Sequence, residues 1–213
     1  MLDGFTWFRQ SAFLWRGDGI NVYIDPWGVT TADPADAIFI THAHFDHFQP
    51  ELIERIRKDG TKIVAPHDVA RELSGDVTPV RPGDAVEVSG IRVQAVPAYN
   101  VHEERLQNHP KTNEWVGYVL TLGSSTYYHA GDTDHAPELS AVRADVAFLP
   151  IGGTYTMDPA EAAGLAKAIH PLVAVPMHYG FVVGSPSDAE RFAKEADPVT
   201  VETLVPTNPF EQP

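Results

Sequence analysis

The run "ITHAHFDHF" at residues 40–48 constrains this chain more than any other segment, because it places metal-binding residue types directly after an apolar, strand-like stretch. Three histidines and one aspartate fall within six residues. Side chains two residues apart at the end of a strand point to the same side, so His42 and His44 can converge on one ion. The turn that follows lets Asp46 and His47 face a second ion. The spacing therefore predicts ligands for two adjacent metal ions.

Further ligands have to come from other parts of the chain, because four short-range ligands cannot complete two coordination shells. Two downstream strand-like runs end in suitable residues. The run "STYYHAGDTD" is broken by Gly131 and delivers Asp132, whose carboxylate can bridge both ions. The run "LVAVPMHYG" delivers His178 in the same manner. We therefore expect three separated segments to meet at one site.

Composition narrows the chemistry and the partners. The chain contains no cysteine, so any metal must be held by imidazole nitrogen and carboxylate oxygen. Its 15 basic and 29 acidic residues give a formal charge of −14, which repels phosphate backbones and predicts no nucleic-acid partner. The N-terminal segment interrupts its apolar residues with Arg9, Gln10 and Arg16, unlike a secretory signal, and no run reaches membrane-spanning length. We expect a cytoplasmic protein that has no membrane partner.

Short β-type runs dominate the chain, among them "NVYID", "AIFIT", "WVGYVLTL" and "LVAVPM". No internal repeat, low-complexity tract or Gly/Ser-rich linker interrupts the sequence, so we interpret residues 1–213 as one domain. Strands mixed with a few helices indicate an α+β chain in which two β-sheets are faced by helices.

The helices carry recognisable start and stop signals. Asp158 fits an N-cap, and Glu161 completes a capping box before "AAGLAKAI". Ser187 and Glu190 repeat that device before "RFAKEA". Another helix is predicted to begin at "PELIERIRK" and to end at Gly60.

The order of these motifs resembles that of the metallo-β-lactamase fold superfamily: HxHxDH, then G-D-T after a strand, then a histidine at a strand end. Four segments are similar to the small lactonase-like branch usually called metal-dependent hydrolases: "VPAYN", "YYHAGDTD", "LPIGGTYTMDPAEA" and "VPMHYG". The matching motifs span residues 38 to 180. The resemblance implies a four-layer αββα sandwich, with two mixed β-sheets flanked by helices.

The resemblance also implies a ligand set. His42 and His44 would bind the first metal, Asp132 would bridge, and the second metal would be held by Asp46, His47 and His178. Asp46 would in addition take the proton of the attacking water, which makes it the expected catalytic residue. We expect two divalent ions, with zinc first and manganese, nickel or iron as alternatives, because imidazole and carboxylate suit all four.

One position departs from the superfamily pattern. A third histidine for the first metal normally follows a middle strand, but the matching segment "VPAYN" ends in Asn100. His102 and His109 follow in the same loop. We favour His109, because its His-Pro-Lys context resembles an insertion found in this branch. The alternatives are His102, or a first site that is left open.

Five further residues are candidates for roles around the site, each with a plainer alternative. Asp25 ends a strand, and a hydrogen bond to a metal-binding histidine competes with a turn role. His129 is either a partner of a ligand or a core histidine, and His135 is a candidate for the pocket mouth. Tyr155 and Tyr179 flank places where a substrate can lie, but both equally fit the edge of the core.

These features predict a dinuclear metal-dependent hydrolase, in which a metal-bridging hydroxide attacks a carbonyl or phosphorus centre of a small-molecule substrate. The resemblance implies that the bond cleaved is a lactone, ester or phosphodiester. The alternative is a non-catalytic metal-binding or interaction module on the same fold, which the loss of the usual histidine at Asn100 favours. The chain is too short for the additional domains of the thioesterases and ribonucleases of this superfamily. The physiological substrate stays open, as does assembly into a homo-oligomer.

Overall fold

A computed structural model describes residues 1–30 and 33–211. It contains two six-stranded sheets, one built from each half of the chain. The first sheet has the strand order β1-β2-β3-β4-β5-β6. Its strands are β1 (Phe5–Trp7), β2 (Phe13–Gly17), β3 (Ile20–Ile24), β4 (Ala35–Phe39), β5 (Arg57–Pro66) and β6 (Asp76–Val80).

The second sheet has the order β12-β11-β10-β9-β8-β7. Its strands are β7 (Ala85–Val88), β8 (Ile91–Pro97), β9 (Val116–Leu122), β10 (Ser125–His129), β11 (Val146–Pro150) and β12 (Val173–Met177). Both sheets are mixed: β1 to β3 and β7 to β10 pair antiparallel, whereas β3 to β6 and β10 to β12 pair parallel. The predicted mixed character of both sheets is confirmed.

The described residues form four α-helices: α1 (Pro50–Ile56), α2 (His67–Ala70) and α3 (Pro159–Ile169) lie between strands, and α4 (Asp188–Glu195) follows β12. Short 3₁₀ turns lie at Glu103–Arg105, Lys111–Asn113 and Pro137–Ala141.

The sheets pack face to face through aromatic side chains. Phe13 of β2 contacts Phe148 of β11 with ring centroids 4.7 Å apart, and Phe39 of β4 contacts Tyr118 of β9 at 5.4 Å. Burial of each such side chain stabilises the fold by about 1.5–3 kcal/mol. These contacts join the two halves of the chain across the interface between the sheets.

Neighbouring residues on a strand face opposite sides of the sheet. The continuous burial of β11 and β12 therefore shows that these strands are covered on both faces. Ile38, next to Phe39, packs with Ile53 of α1 and Val69 of α2 on the outer face of the first sheet. Leu165 of α3 and Phe192 of α4 belong to the core cluster around the second sheet. The layers are therefore helix, sheet, sheet, helix, and the predicted αββα sandwich is confirmed.

The predicted C-terminus of the first helix, at Gly60, is wrong. The α1 helix stops at Ile56, and Arg57 already has extended backbone and starts β5. The pairing of β4 with β5 shifts register here, and the Thr61 hydroxyl donates to the Ala35 carbonyl oxygen at 2.6 Å. Pairing with β4 thus outweighs the helical propensity of the segment, and Gly60 supplies a positive φ of 86° inside the strand.

The two predicted capping boxes are only partly correct. Asp158 Oδ1 accepts from the backbone N–H of Glu161 at 2.8 Å, as expected of an N-cap. The Glu161 carboxylate, however, accepts from the backbone N–H of His135 at 2.8 Å instead of reaching back to the cap. Ser187 makes no capping hydrogen bond, because its hydroxyl pairs with that of Ser185 at 2.6 Å. Tertiary and local partners therefore replace the expected caps.

Candidate metal centre

The candidate ligands lie at one edge of the sandwich, and all of them except His109, which lies in the loop between β8 and β9, follow strand ends. The run 42–47 follows β4, Asp132 follows β10 and His178 follows β12. Cross-sheet hydrogen bonds hold this edge together: the Tyr118 hydroxyl donates to the Ile40 carbonyl oxygen at 2.8 Å, and the Val116 N–H donates to that of Thr41 at 3.2 Å. The sheet packing thus brings distant segments to one place.

A first group comprises His42, His44, His109 and Asp132, each with one potential ligand atom within 4.8 Å of the others. His42 Nε2 and His44 Nδ1 lie 3.1 Å apart. His42 and His109 are buried, whereas His44 reaches a cavity that opens to solvent. The structure therefore brings His109 to the pair that the HxH motif supplies.

A second group comprises Asp46, His47 and His178, again with ligand atoms within 4.8 Å of one another. Asp46 Oδ2 lies 3.7 Å from His47 Nε2 and 3.5 Å from His178 Nε2. All three residues are buried. His178 has a positive φ of 58°, and this left-handed turn directly after β12 sends its ring into the centre.

Asp132 lies between the two groups. Its Oδ1 is 3.3 Å from His47 Nε2, and its Oδ2 is 3.0 Å from His178 Nε2. The same Oδ2 lies 3.3 Å from His109 Nε2, on the side of the first group. One carboxylate therefore faces imidazoles of both groups.

Several of these buried atoms have no aligned hydrogen bond within the part of the chain that the structure describes: His47 Nε2, His109 Nε2, His178 Nε2 and Asp132 Oδ1. A buried polar atom left unpaired costs about 1–3 kcal/mol, so such atoms are uncommon and call for a partner. Here they face the same small volume, and all are nitrogen or oxygen donors that divalent transition metals accept. The donor set fits two cations.

The charges of the metal-free centre are strongly coupled. Burial by itself would raise the pKa of Asp132, but the charges of His178 and His47 outweigh it and hold the pKa well below the usual value. Burial would lower the pKa of His178, but Asp132 and Asp46 raise it to about 9. Burial, reinforced by the charge of His47, lowers the pKa of His42. Asp132 is thus ionised and His42 is neutral, as metal binding requires, whereas His178 is protonated in the metal-free centre and has to release that proton when a metal binds.

Asp25 orients two of the imidazoles. Its Oδ2 lies 2.8 Å from His47 Nδ1 and accepts from the Thr41 hydroxyl at 2.6 Å. Since that hydroxyl donates to Asp25, its contact of 2.9 Å with His42 Nδ1 makes the ring the donor. Both rings therefore carry a proton on Nδ1 and present Nε2 to the centre. The hydrogen bond predicted for Asp25 is confirmed.

Asn100 contacts His109 rather than the centre itself. Its Oδ1 lies 2.8 Å from His109 Nδ1, and because an amide oxygen can only accept, Nδ1 carries the proton and Nε2 is left free. Asn100 Nδ2 donates to Asp134 Oδ1 and to the Tyr155 carbonyl oxygen, both at 2.9 Å. His102 is exposed and lies 3.1 Å from Glu161 Oε1, outside both groups. Of the two alternatives, only His109 reaches the first group.

The remaining candidate residues differ in their position relative to the cavity. His129 is a core histidine, with Nε2 3.0 Å from the Ser11 carbonyl oxygen. His135 lies 3.0 Å from the Ser140 hydroxyl and does not line the cavity described below, so the mouth position expected for it is wrong. Tyr155 lines that cavity, whereas Tyr179 is buried.

Two contacts at the centre were not anticipated from the sequence. Gln10 Nε2 donates to Asp46 Oδ2 at 3.2 Å. Trp115 packs against the rings of His42 and His44, each with centroids 5.0 Å apart. Both residues come from segments far from the motif, and no local sequence signal marks either of them.

A third cluster of His102, Asp134 and Glu161 already contains a cation. Arg105 Nε lies 2.6 Å from Asp134 Oδ1, and Arg105 Nη2 lies 2.6 Å from Glu161 Oε2. This cluster is therefore an ion-pair network that fixes the loop leading to His109.

A cavity of about 230 Å³ opens onto the two groups. Its lining comprises His44, Phe45, Asp46, Asn108, His109, Asp132, Tyr155, His178 and Val182. The potential ligands thus lie at the base of a cleft that a small molecule can enter.

In residues 1–30 and 33–211, none of the helices is both long and apolar enough to cross a bilayer.

Comparison with known proteins identifies the family. Residues 4–178 match the family described as the beta-lactamase superfamily domain, which covers more than half of the chain and all of the candidate ligands. The chain belongs to the β-lactamase superfamily. Within this superfamily, it is 32% identical to the UPF0173 metal-dependent hydrolase of Methanopyrus kandleri, with 94% of each chain covered.

The chain is also similar to solved structures. A crystal structure assigned as a metal-dependent hydrolase of Parabacteroides distasonis superimposes with a TM-score of 0.83 and 31% identity, covering 93% of this chain and 91% of that one. Igni18, a metallo hydrolase of Ignicoccus hospitalis, gives a TM-score of 0.77 and 26% identity, covering 95% and 94%. By sequence, the chain is a member of the UPF0173 family of metal-dependent hydrolases.

Proposed function

We propose that this protein is a dinuclear metal-dependent hydrolase that cleaves a lactone, ester or phosphodiester bond in a small molecule. The first divalent ion would be held by His42, His44 and His109, the second by Asp46, His47 and His178, with Asp132 shared between them. Zinc is the preferred metal because the donors are imidazole nitrogen and carboxylate oxygen, and manganese, nickel and iron are the alternatives.

The observation that carries the proposal is the position of Asp132. Its two oxygens lie within 3.3 Å of imidazole nitrogens from both groups, and its Oδ1 has no aligned hydrogen bond among the described residues. A purely structural aspartate at this depth would be expected to satisfy both oxygens with hydrogen bonds. Sharing between two cations accounts for the burial, the charge and the unpaired atom together.

Two bound metal ions would supply Lewis acidity, which would lower the pKa of a water molecule and stabilise the negative charge that develops during hydrolysis. The chain's own contribution is orientation and proton transfer. Asp25 and Asn100 hold imidazole rings so that Nε2 faces the centre. Asp46 lines the cavity, and Gln10 fixes its Oδ2. Asp46 is thereby positioned to accept the proton of the attacking water at a carboxylate oxygen.

The test compares Asp132→Ala with Asp145→Ala. Asp145 is a matched control, because its carboxylate accepts from Thr126 at the start of β10, whereas Asp132 follows the end of that strand, and Asp145 makes no hydrogen bond to the proposed ligands. Metal content is measured by elemental analysis, and hydrolysis is measured on a panel of activated lactones, esters and bis-phosphodiesters. We expect Asp132→Ala to lose bound metal and turnover, while Asp145→Ala keeps both.

Unchanged metal content in Asp132→Ala would refute the shared-ligand role. The alternative of a non-catalytic metal-binding module was suggested by Asn100, but the close approach of His109 Nε2 to Asp132 now supports a complete first site. A metal-loaded wild-type protein that cleaves nothing in the panel would favour that module instead.

A further inference from the structure

We propose that the substrate carries a small, uncharged apolar group next to the scissile bond, so that the site hydrolyses short-chain carboxylic esters or lactones in preference to phosphodiesters. This inference rests on the proposed hydrolase function and deepens it. In the reaction, water oxygen bonds to the carbonyl carbon and the bond from that carbon to the leaving oxygen breaks. One water proton goes to the leaving oxygen, which gives a carboxylic acid and an alcohol.

The first observation is the apolar rim of the cavity. Phe45, Tyr155 and Val182 line it, and they are 62%, 41% and 39% exposed, respectively. Single exposed apolar side chains are common on protein surfaces, whereas a group of them around one opening is typical of a binding site. These three side chains surround the same opening. They come from three separate loops, so the rim is assembled by the fold rather than by one local segment.

Phe45 is held in its exposed position. Its ring meets Trp27 edge to face with centroids 5.8 Å apart, and the Arg9 guanidinium lies over the Trp27 ring, 3.7 Å from its centroid. Edge-to-face contacts of this geometry stabilise both rings. Phe45 therefore presents a fixed apolar surface directly beside the ligands His44 and Asp46, where the reacting bond would lie.

The second observation concerns the charge of the side chains that line the cavity. Among the residues described by the structure, no lysine or arginine lines the cavity. The cations of the adjoining loops are already paired: Arg9 with Glu211, Arg105 with Asp134 and Glu161, and Lys111 with Glu138.

Phosphoryl transfer places charge on several non-bridging oxygens, which enzymes commonly stabilise with arginine or lysine in addition to metal ions. Ester and lactone hydrolysis develops charge on a single oxygen. A cleft that offers an aromatic and aliphatic rim without a free cation is therefore suited to an uncharged acyl or alkyl group.

The size of the cavity limits that group. The cavity volume is about 230 Å³. It lies below the range of about 300–1,000 Å³ that is typical of pockets for drug-sized ligands. A chain of a few carbons fits beside the reacting carbonyl, whereas a long acyl chain would extend into solvent and gain nothing further.

The experiment measures kcat/KM of the zinc-loaded protein on 4-nitrophenyl acetate, butyrate and hexanoate, and on bis(4-nitrophenyl) phosphate. Burial of one methylene group contributes about 0.8 kcal/mol, so each added methylene should raise kcat/KM by up to about fourfold until the cavity is filled. The butyrate-to-acetate ratio should therefore approach about 15, and the phosphodiester should be the poorest substrate.

The variants Phe45→Ala and Val182→Ala should reduce the butyrate-to-acetate ratio towards 1 while elemental analysis shows unchanged zinc. Leu172→Ala is the matched control, because Leu172 is 63% exposed but lies just before β12, away from the cavity. It should keep the wild-type ratio. Calorimetric titration with hexanamide, an uncharged analogue, provides a readout without turnover, and Phe45→Ala should weaken its binding at least threefold.

Three results would overturn the inference: a wild-type ratio near 1, a higher kcat/KM for the phosphodiester than for the esters, or an equal loss in Leu172→Ala. If no substrate is cleaved, the hydrolase proposal fails. The hexanamide titration then still decides whether Phe45 binds an uncharged apolar group.

Discussion

Replacement of Asn100 by alanine tests how the first metal group is completed. The change removes the contact of 2.8 Å that holds the His109 ring, together with amide hydrogen bonds to Asp134 and Tyr155. Loss of such a supporting partner typically lowers metal affinity about 10–100-fold, which is about 1.4–2.8 kcal/mol. The two lost amide bonds, at about 0.5–1.5 kcal/mol each, should lower the free energy of unfolding of the metal-free protein by about 1–3 kcal/mol.

The assay is competition for zinc against a chelator, with one dissociation constant fitted for each ion. We expect weakening of one of the two constants, while the second group, which Asn100 does not contact, keeps its affinity. Asn208→Ala is the matched control, because Asn208 Nδ2 likewise donates two hydrogen bonds, in its case to the backbone oxygens of Phe8 and Gly28. If both variants lose stability equally and neither changes zinc affinity, Asn100 does not position His109 for metal binding.

Two further predictions concern residues behind the ligands. Asp25→Ala should weaken zinc binding about 10–100-fold by releasing His47, and it should also destabilise the metal-free protein, because the Thr41 N–H loses its buried acceptor; zinc affinity equal to wild type would contradict this role. Burial lowers the pKa of His129 below its unfolded value of about 6.5, so below that pH the unfolded chain binds a proton that the folded chain does not. The free energy of unfolding contributed by His129 is therefore present above about pH 6.5 and falls as the pH drops, by up to about 1.4 kcal/mol per pH unit. In urea titrations between pH 5 and 7, His129→Gln should show a shallower dependence than wild type, and an unchanged slope would contradict a neutral buried ring.

Much of the candidate site follows from strand-end logic. His42, His44, Asp132 and His178 each come directly after an apolar run, and the ends of neighbouring strands meet at one edge of a sheet. That reasoning, joined to the resemblance in motif order, anticipates the sandwich and the two groups. It also anticipates Asp25, because β3 and β4 are parallel neighbours whose ends lie side by side.

The parts that were not anticipated depend on loops. Gln10 and Trp115 reach the centre because the two sheets pack together, and neither residue type signals a metal site in sequence. Asn100 is read from sequence as a missing ligand, but the loop brings His109 back to it through a backbone hydrogen bond of 2.8 Å from Asn100 N–H to the His109 carbonyl oxygen. Local patterns specify where strands end, whereas the return path of a loop is decided by tertiary contacts.

Anomalous diffraction at the zinc edge, on crystals grown with zinc, tests the central claim most directly. We predict two anomalous-difference peaks in one cleft, one beside His42, His44 and His109 and the other beside Asp46, His47 and His178. Asp132 should lie within coordination distance of both. A single peak, or peaks away from these side chains, would contradict it.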